Sequence, residues 1–156
     1  MAADQLYKVA YDEAVRALSE QQAAIESVRT RAGLLLSAAA VTTSFLGAQA
    51  LHGGSAGFCS CLALLSFVAV AAASLAILWP RAWELTANPR DVVESCIESA
   101  GAIQIGDLYR DLSLRMHGSF AANHHGLERL ATLFQAASGF LTIEVVLWIV
   151  AIAMRP

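Results

Sequence analysis

Three stretches of this chain are each long and apolar enough to cross a lipid bilayer, and nothing else in the sequence limits its fold as much. A transmembrane helix needs about 20 mostly apolar residues to span a hydrocarbon core of about 30 Å. Residues 32–51, "AGLLLSAAAVTTSFLGAQAL", form the first window, and residues 58–79, "FCSCLALLSFVAVAAASLAILW", form the second and most hydrophobic. Residues 132–153, which run into "GFLTIEVVLWIVAIA", form the third. The first is the least hydrophobic, which suits a helix shielded by its neighbours. Composition agrees: the chain is 57% hydrophobic and 15% charged, against about 25% charged in an ordinary soluble domain. The fold class expected is all-α, an integral membrane helical bundle with three transmembrane helices and a small cytoplasmic helical layer.

The link "HGGSAG" between the first two windows is short and glycine-rich, so these spans should form a tight hairpin. Orientation follows from the placement of Lys and Arg, which stay in the cytoplasm. Lys8, Arg16, Arg29 and Arg31 precede the first span, and Arg81, Arg90, Arg110, Arg115 and Arg129 lie between the second and third. Only Arg155 follows the third, and the hairpin link has no basic residue. The N-terminus is therefore expected in the cytoplasm and the C-terminus outside, in a bacterial inner membrane. Trp79 and Trp83 would flank the inner end of the second span and Trp148 would lie toward the outer end of the third, as an aromatic belt does. The first window also ends on a small-x-small pattern at Ala50, like a signal peptide. The acid-bearing segment ahead of it is too long for an n-region, so the window is expected to remain as a span.

Outside the spans the pattern is helical. In residues 1–31, Tyr7, Tyr11, Ala14, Leu18, Gln21, Ile25 and Val28 alternate at spacings of four and three, a sustained heptad. One long helix should leave the membrane and continue into the cytoplasm. In the cytoplasmic segment, residues 80–131, Pro80 ends or kinks the second span. "NPRD" then starts a helix, with Asn88 as N-cap, Pro89 at the first helical position and Asp91 in the first turn. "GAIQIGD" predicts a break and a further helix from near Asp107, loosened at Gly118. From Phe120 the pattern Phe120, Asn123, Leu127, Leu130, Phe134 flows into the third span.

Few residues carry possible chemistry. The third span has two faces: Gln135, Ser138, Gly139 and Thr142 on one, and Glu144 with Ala137, Leu141, Trp148 and Ala151 on the other. A charged side chain at the bilayer centre costs at least about 2.5 kcal/mol on insertion scales. Glu144 should therefore be protonated, paired with a polar group such as Thr42 or Gln49, or open to a water-filled pore. The first span carries a small-residue seam, Gly33, Ser37, Ala40, Ser44 and Gly47, which lets helix backbones approach closely. It suits packing against the second span or against another copy in a homo-oligomer. Arg81, Arg90, Arg110, Arg115 and Arg129 could converge on a phosphate, which guanidinium grips bidentately, and Tyr109 could stack a base. The competing role of these arginines is orientation and surface ion pairing. His117, His124 and His125 lack metal spacing, and Cys59 and Cys61 read as small apolar fillers. No metal, cofactor or enzyme activity is expected. The net charge of -3 argues against nucleic acid, which needs a basic stripe.

A helix with "RTRAG" entering a first span, a short hairpin, "NP" after the second span, a helical cytoplasmic segment and a last amphipathic-to-apolar helix together resemble the small membrane effectors of bacterial defence, the Pycsar membrane effectors and the SLATT group. The matching residues are Arg31, Ala32 and the pair Asn88-Pro89, and the likeness spans most of the chain as architecture. It implies sensing of a nucleotide second messenger, a cyclic nucleotide, followed by self-assembly and loss of membrane integrity in antiphage defence. Two other functions fit the residues themselves. One is a non-enzymatic scaffold or accessory subunit docking a cytoplasmic partner, and the other is a small transporter or proton relay using Glu144.

Overall fold

The computed structural model describes residues 2–52, 57–80, 83 and 104–154. Among these the chain is all-helical: α1 spans Ala2–Leu51, α2 spans Phe58–Leu78 and α3 spans Ile105–Ala153. All three are long and apolar enough to cross a membrane. α1 has 50 residues, α2 has 21 and α3 has 49. At 1.5 Å per residue α2 matches a bilayer core, whereas α1 and α3 are each more than twice that length.

The ends of these helices follow from local chemistry. Pro80 disfavours helical backbone in the residue before it, and Trp79 is accordingly extended, with ψ 129°, while its N–H still donates to the Leu75 carbonyl at 2.9 Å. α2 begins at Gly57, whose carbonyl accepts from the N–H groups of Ser60 and Cys61. α3 begins after Gln104, whose carbonyl accepts from Asp107 and Leu108. Asp4 and Asp107 lie in the first turns of α1 and α3, where a negative charge complements the helix dipole.

α3 begins at Ile105, close to the start near Asp107 expected after "GAIQIGD", but it is not loosened at Gly118. The second cytoplasmic helix, the segment from Phe120 and the third span are one unbroken helix that passes through Gly118, Gly126 and Gly139. Each internal glycine costs about 1 kcal/mol of helix propensity relative to Ala, a cost that packing along so long an element outweighs. The expected helix start at Asn88-Pro89 and its apolar residues lie outside the described residues.

The chain divides into two compact units, Met1–Ile25 with Arg81–Glu128, and Glu26–Pro80 with Arg129–Pro156. In the second unit eight of the fully buried positions recur every seven residues, Ala32 and Ala39 on α1, Ala63, Val70 and Ile77 on α2, Leu130, Ala137 and Glu144 on α3, and two more, Ser74 and Trp148, follow Val70 and Glu144 by four. A strict seven-residue repeat is the seam of left-handed, knobs-into-holes packing. Four of these eight rungs are alanine, which brings the backbones close where lipid supplies no hydrophobic drive. The exterior of this unit is apolar, with Leu34, Val41, Phe45, Val68, Leu75, Ile143, Val146 and Ile149 all exposed, a surface suited to acyl chains.

The first unit packs Leu18, Gln21 and Ile25 of α1 and Asn123 of α3 inward, so the heptad read from Tyr7 to Val28 sets the buried face from Leu18 onward. The rings of Tyr11 and Tyr109 meet at 5.4 Å, and the Gln21 amide donates to the Phe120 carbonyl at 3.2 Å. Trp83 lies against Gly126, where an added Cβ would stand 2.8 Å from its ring. The indole thus fills the space a side chain at 126 would need.

Candidate functional site

The group that most demands an explanation is Glu144. It occupies a heptad rung of α3 and is fully buried in the second unit, with 0% of its surface exposed. The carboxylate faces α1, where the Thr43 hydroxyl donates to its Oε1 at 2.5 Å. The second oxygen, Oε2, is buried and accepts no hydrogen bond. Trp148, one turn further along the same face and also fully buried, sets its indole N–H beside the carboxylate without reaching regular hydrogen-bond geometry. The site therefore holds one satisfied acceptor, one bare acceptor and one bare donor.

Backbone geometry brings these groups together. Thr43 follows the buried Ala39 by four residues, so the two share a face of α1. Four residues beyond Thr43 is Gly47, where an added Cβ would stand 3.2 Å from two atoms of the Trp148 ring. The absent side chain gives the indole room to lie against α1. Ala50, Ala63 and Trp148 then close one end of the core from all three helices, with Leu46, Leu147, Ala151 and Ile152 packed around them.

The expected faces of the third span appear in the structure. Ala137, Glu144 and Trp148 are buried, with Leu141 and Ala151 half-buried, while Gln135, Gly139 and Thr142 are exposed and Ser138 is half-buried. Thr43 rather than Thr42 or Gln49 bonds the carboxylate. A one-residue step rotates a helical position by about 100°, and that step separates the two threonines. The small-residue seam is displaced by the same kind of step. Ala32, Ala39, Gly47 and Ala50 are buried, whereas Ser37, Ala40 and Ser44 are exposed and Gly33 has open space where a Cβ would go. Of the seam, only Gly47 packs within the bundle, so the expected contact of the others with the second span is not formed.

Among the described residues of the first unit, Arg110 and Arg115 do not converge. Arg115 pairs with Asp111 one turn away at 2.9 Å, and Arg110 is exposed and about 140° around the helix from it. Arg129 is exposed in the second unit, and Tyr109 packs against Tyr11. Arg81 and Arg90 lie outside the described residues. His124 and His125 both approach Glu128, at 3.4 and 3.5 Å, and all three side chains are largely exposed. His117 is exposed as well. Among the described residues no cluster of His, Cys, Asp and Glu could hold a metal. Cys59 and Cys61 are free thiols. On α1, Glu20 bonds the exposed Arg16 at 3.0 Å and raises its pKa above the usual arginine value, first through that hydrogen bond and then by charge.

Sequence reasoning missed Thr43 and the Trp83–Gly126 contact. The heptad leading through Ala32 and Ala39 carried a signal for Thr43, since both neighbouring threonines flank the next turn. Nothing local pairs Trp83 with a glycine far along the chain. No known family, curated protein or solved structure matches the chain.

Proposed function

We propose that this protein is a non-enzymatic effector of the bacterial cytoplasmic membrane that receives a signal on its first unit and breaches the membrane with its second. In this reading the N-terminus and first unit are cytoplasmic, the C-terminus is outside, and copies assemble as a homo-oligomer. The observation that carries it is the continuity of α1 and α3, each of which contributes to both units without a break. A displacement imposed on one end of an unbroken helix is passed along it, because every peptide is tied to the next turn. The arrangement of Lys and Arg supports the threading, and the architectural likeness to Pycsar and SLATT-type effectors supports antiphage defence with a nucleotide second messenger as the signal.

Expression in bacteria carrying a membrane-potential dye tests the proposal. Depolarisation on supplying one of the candidate cyclic nucleotides is the expected result. An unchanged dye signal with every candidate, at verified membrane expression, would sink it. One observation favours a second reading, a scaffold docking a cytoplasmic partner: Leu6, Val9, Ile105 and Leu114 of the first unit are exposed apolar residues. That reading predicts a silent dye and loss of a co-purifying protein in the Leu6→Asp, Val9→Asp double variant.

A further inference from the structure

Polar groups on the outside and the inside of the second unit are treated differently. On the outside, hydroxyls are closed onto their own helices: Ser37 donates to the Gly33 carbonyl, Ser44 to Ala40, Ser138 to Phe134 and Thr142 to Ser138. Such groups need nothing from a neighbour or from water. On the inside, the Glu144 Oε2 and the Trp148 indole N–H are both buried and both unpartnered. An ionised carboxylate offers about four lone-pair sites, and here a single hydroxyl serves it. One acceptor and one donor sit a turn apart on the same face, with the indole ring filling the space that Gly47 leaves on α1. The indole N–H stands beside the carboxylate without closing a regular bond to it, so both groups can take up water once the helices separate.

We infer that Glu144 is the residue that faces water when the bundle opens, and that its carboxylate makes the resulting path select for cations over anions. The inference rests on the effector reading and names what such an effector passes. A carboxylate in a narrow path with low-dielectric walls attracts cations and repels anions, as acidic rings do in cation channels. Thr43 holds the carboxylate against α1 in the closed bundle, so separating α1 from α3 releases it. The outward stripe of Gln135, Ser138 and Thr142 carries no charge and gives no such preference.

The test uses the full chain reconstituted into phosphatidylethanolamine–phosphatidylglycerol vesicles with a KCl gradient, with the depolarising nucleotide added. Reversal potential gives the permeability ratio of K⁺ to Cl⁻. The parent should prefer K⁺ by roughly tenfold or more. Glu144→Gln should conduct with a ratio near one, and Glu144→Asp should keep the preference. A Glu144→Gln protein that conducts with the parental ratio overturns the inference and leaves the effector reading standing. A parent that neither conducts nor depolarises cells overturns both. If Glu144→Gln does not fold, Glu144→Asp decides, since loss of its K⁺ preference also overturns the inference. A merely structural role for Glu144 would change yield or stability and leave the ratio unmoved.

Discussion

Thr43→Val is the perturbation that most directly examines the buried carboxylate. Valine nearly matches threonine in shape, so little packing changes, but the donor to Glu144 Oε1 at 2.5 Å is lost. Both carboxylate oxygens are then bare in a site with 0% exposure. Leaving a buried acceptor unsatisfied costs about 1–3 kcal/mol, and more when it is charged. Hydrogen bonds between membrane helices set a lower scale, averaging about 0.6 kcal/mol and reaching about 1.7, because the unfolded chain in lipid also finds partners. Complete burial places this bond at the upper end, so Thr43→Val should cost about 1.5 kcal/mol. Glu144→Met removes the carboxyl group and its bare oxygen at similar volume, and replacing a buried polar group in this way is often neutral or stabilising. The double variant should therefore be more stable than Thr43→Val alone by about 1 kcal/mol or more. Reversible unfolding in mixed micelles with rising dodecyl sulfate, followed by circular dichroism, reports all four corners of the cycle. A Thr43→Val protein as stable as its parent, or a double variant no more stable than Thr43→Val, would refute the reasoning.

At Gly47 two effects compete. Alanine gains about 1 kcal/mol of helix propensity, yet its Cβ would meet the Trp148 ring at 3.2 Å, so Gly47→Ala should change stability little, while Gly47→Leu should cost about 1–3 kcal/mol through overpacking. The same micelle titration measures both, and a Gly47→Leu protein of parental stability would contradict the close packing described. At Gly126 the clash is closer, 2.8 Å to Trp83, and Gly126→Ala should displace the indole. A red shift in tryptophan emission from a Trp79→Phe, Trp148→Phe background reads this, and unchanged emission would count against the contact.

Much of the fold was legible because lipid imposes simple rules. Windows of span length located α2 and the apolar halves of α1 and α3, and the heptad from Tyr7 to Val28 carried the helix through the membrane boundary. The division of α3 was misjudged at Gly118. Glycine weakens a helix locally, but α3 runs unbroken past Gly118, with the buried Asn123 packed inward beyond it. The site was half legible. Glu144 announced itself as a carboxylate in an apolar run, and its face followed from periodicity. Its partner did not, because a helical pattern gives direction to within a residue or so, and Thr42 and Thr43 differ by that amount. The seam reading against the second span missed by the same margin, since "Gly33, Ser37, Ala40, Ser44" and the buried alanines Ala32 and Ala39 are parallel stripes one step apart, which leaves contact with another copy as the seam's open reading. Among the described arginines, Arg115 pairs with Asp111 four residues away, a helical spacing the sequence carries, and Arg110 and Arg129 are exposed.

The Thr43–Glu144 bond also sets an order of assembly. The two residues are 101 positions apart, and α1 leaves the ribosome long before α3 does. When α3 arrives it brings a carboxylate whose insertion alone costs at least about 2.5 kcal/mol. The Leu, Ile, Phe and Val residues around it each return only about 0.3–0.6 kcal/mol. If α1 enters the bilayer first, as the proposed threading has it, the last span meets a waiting hydroxyl on Thr43, so the bond ties the first long helix to the last.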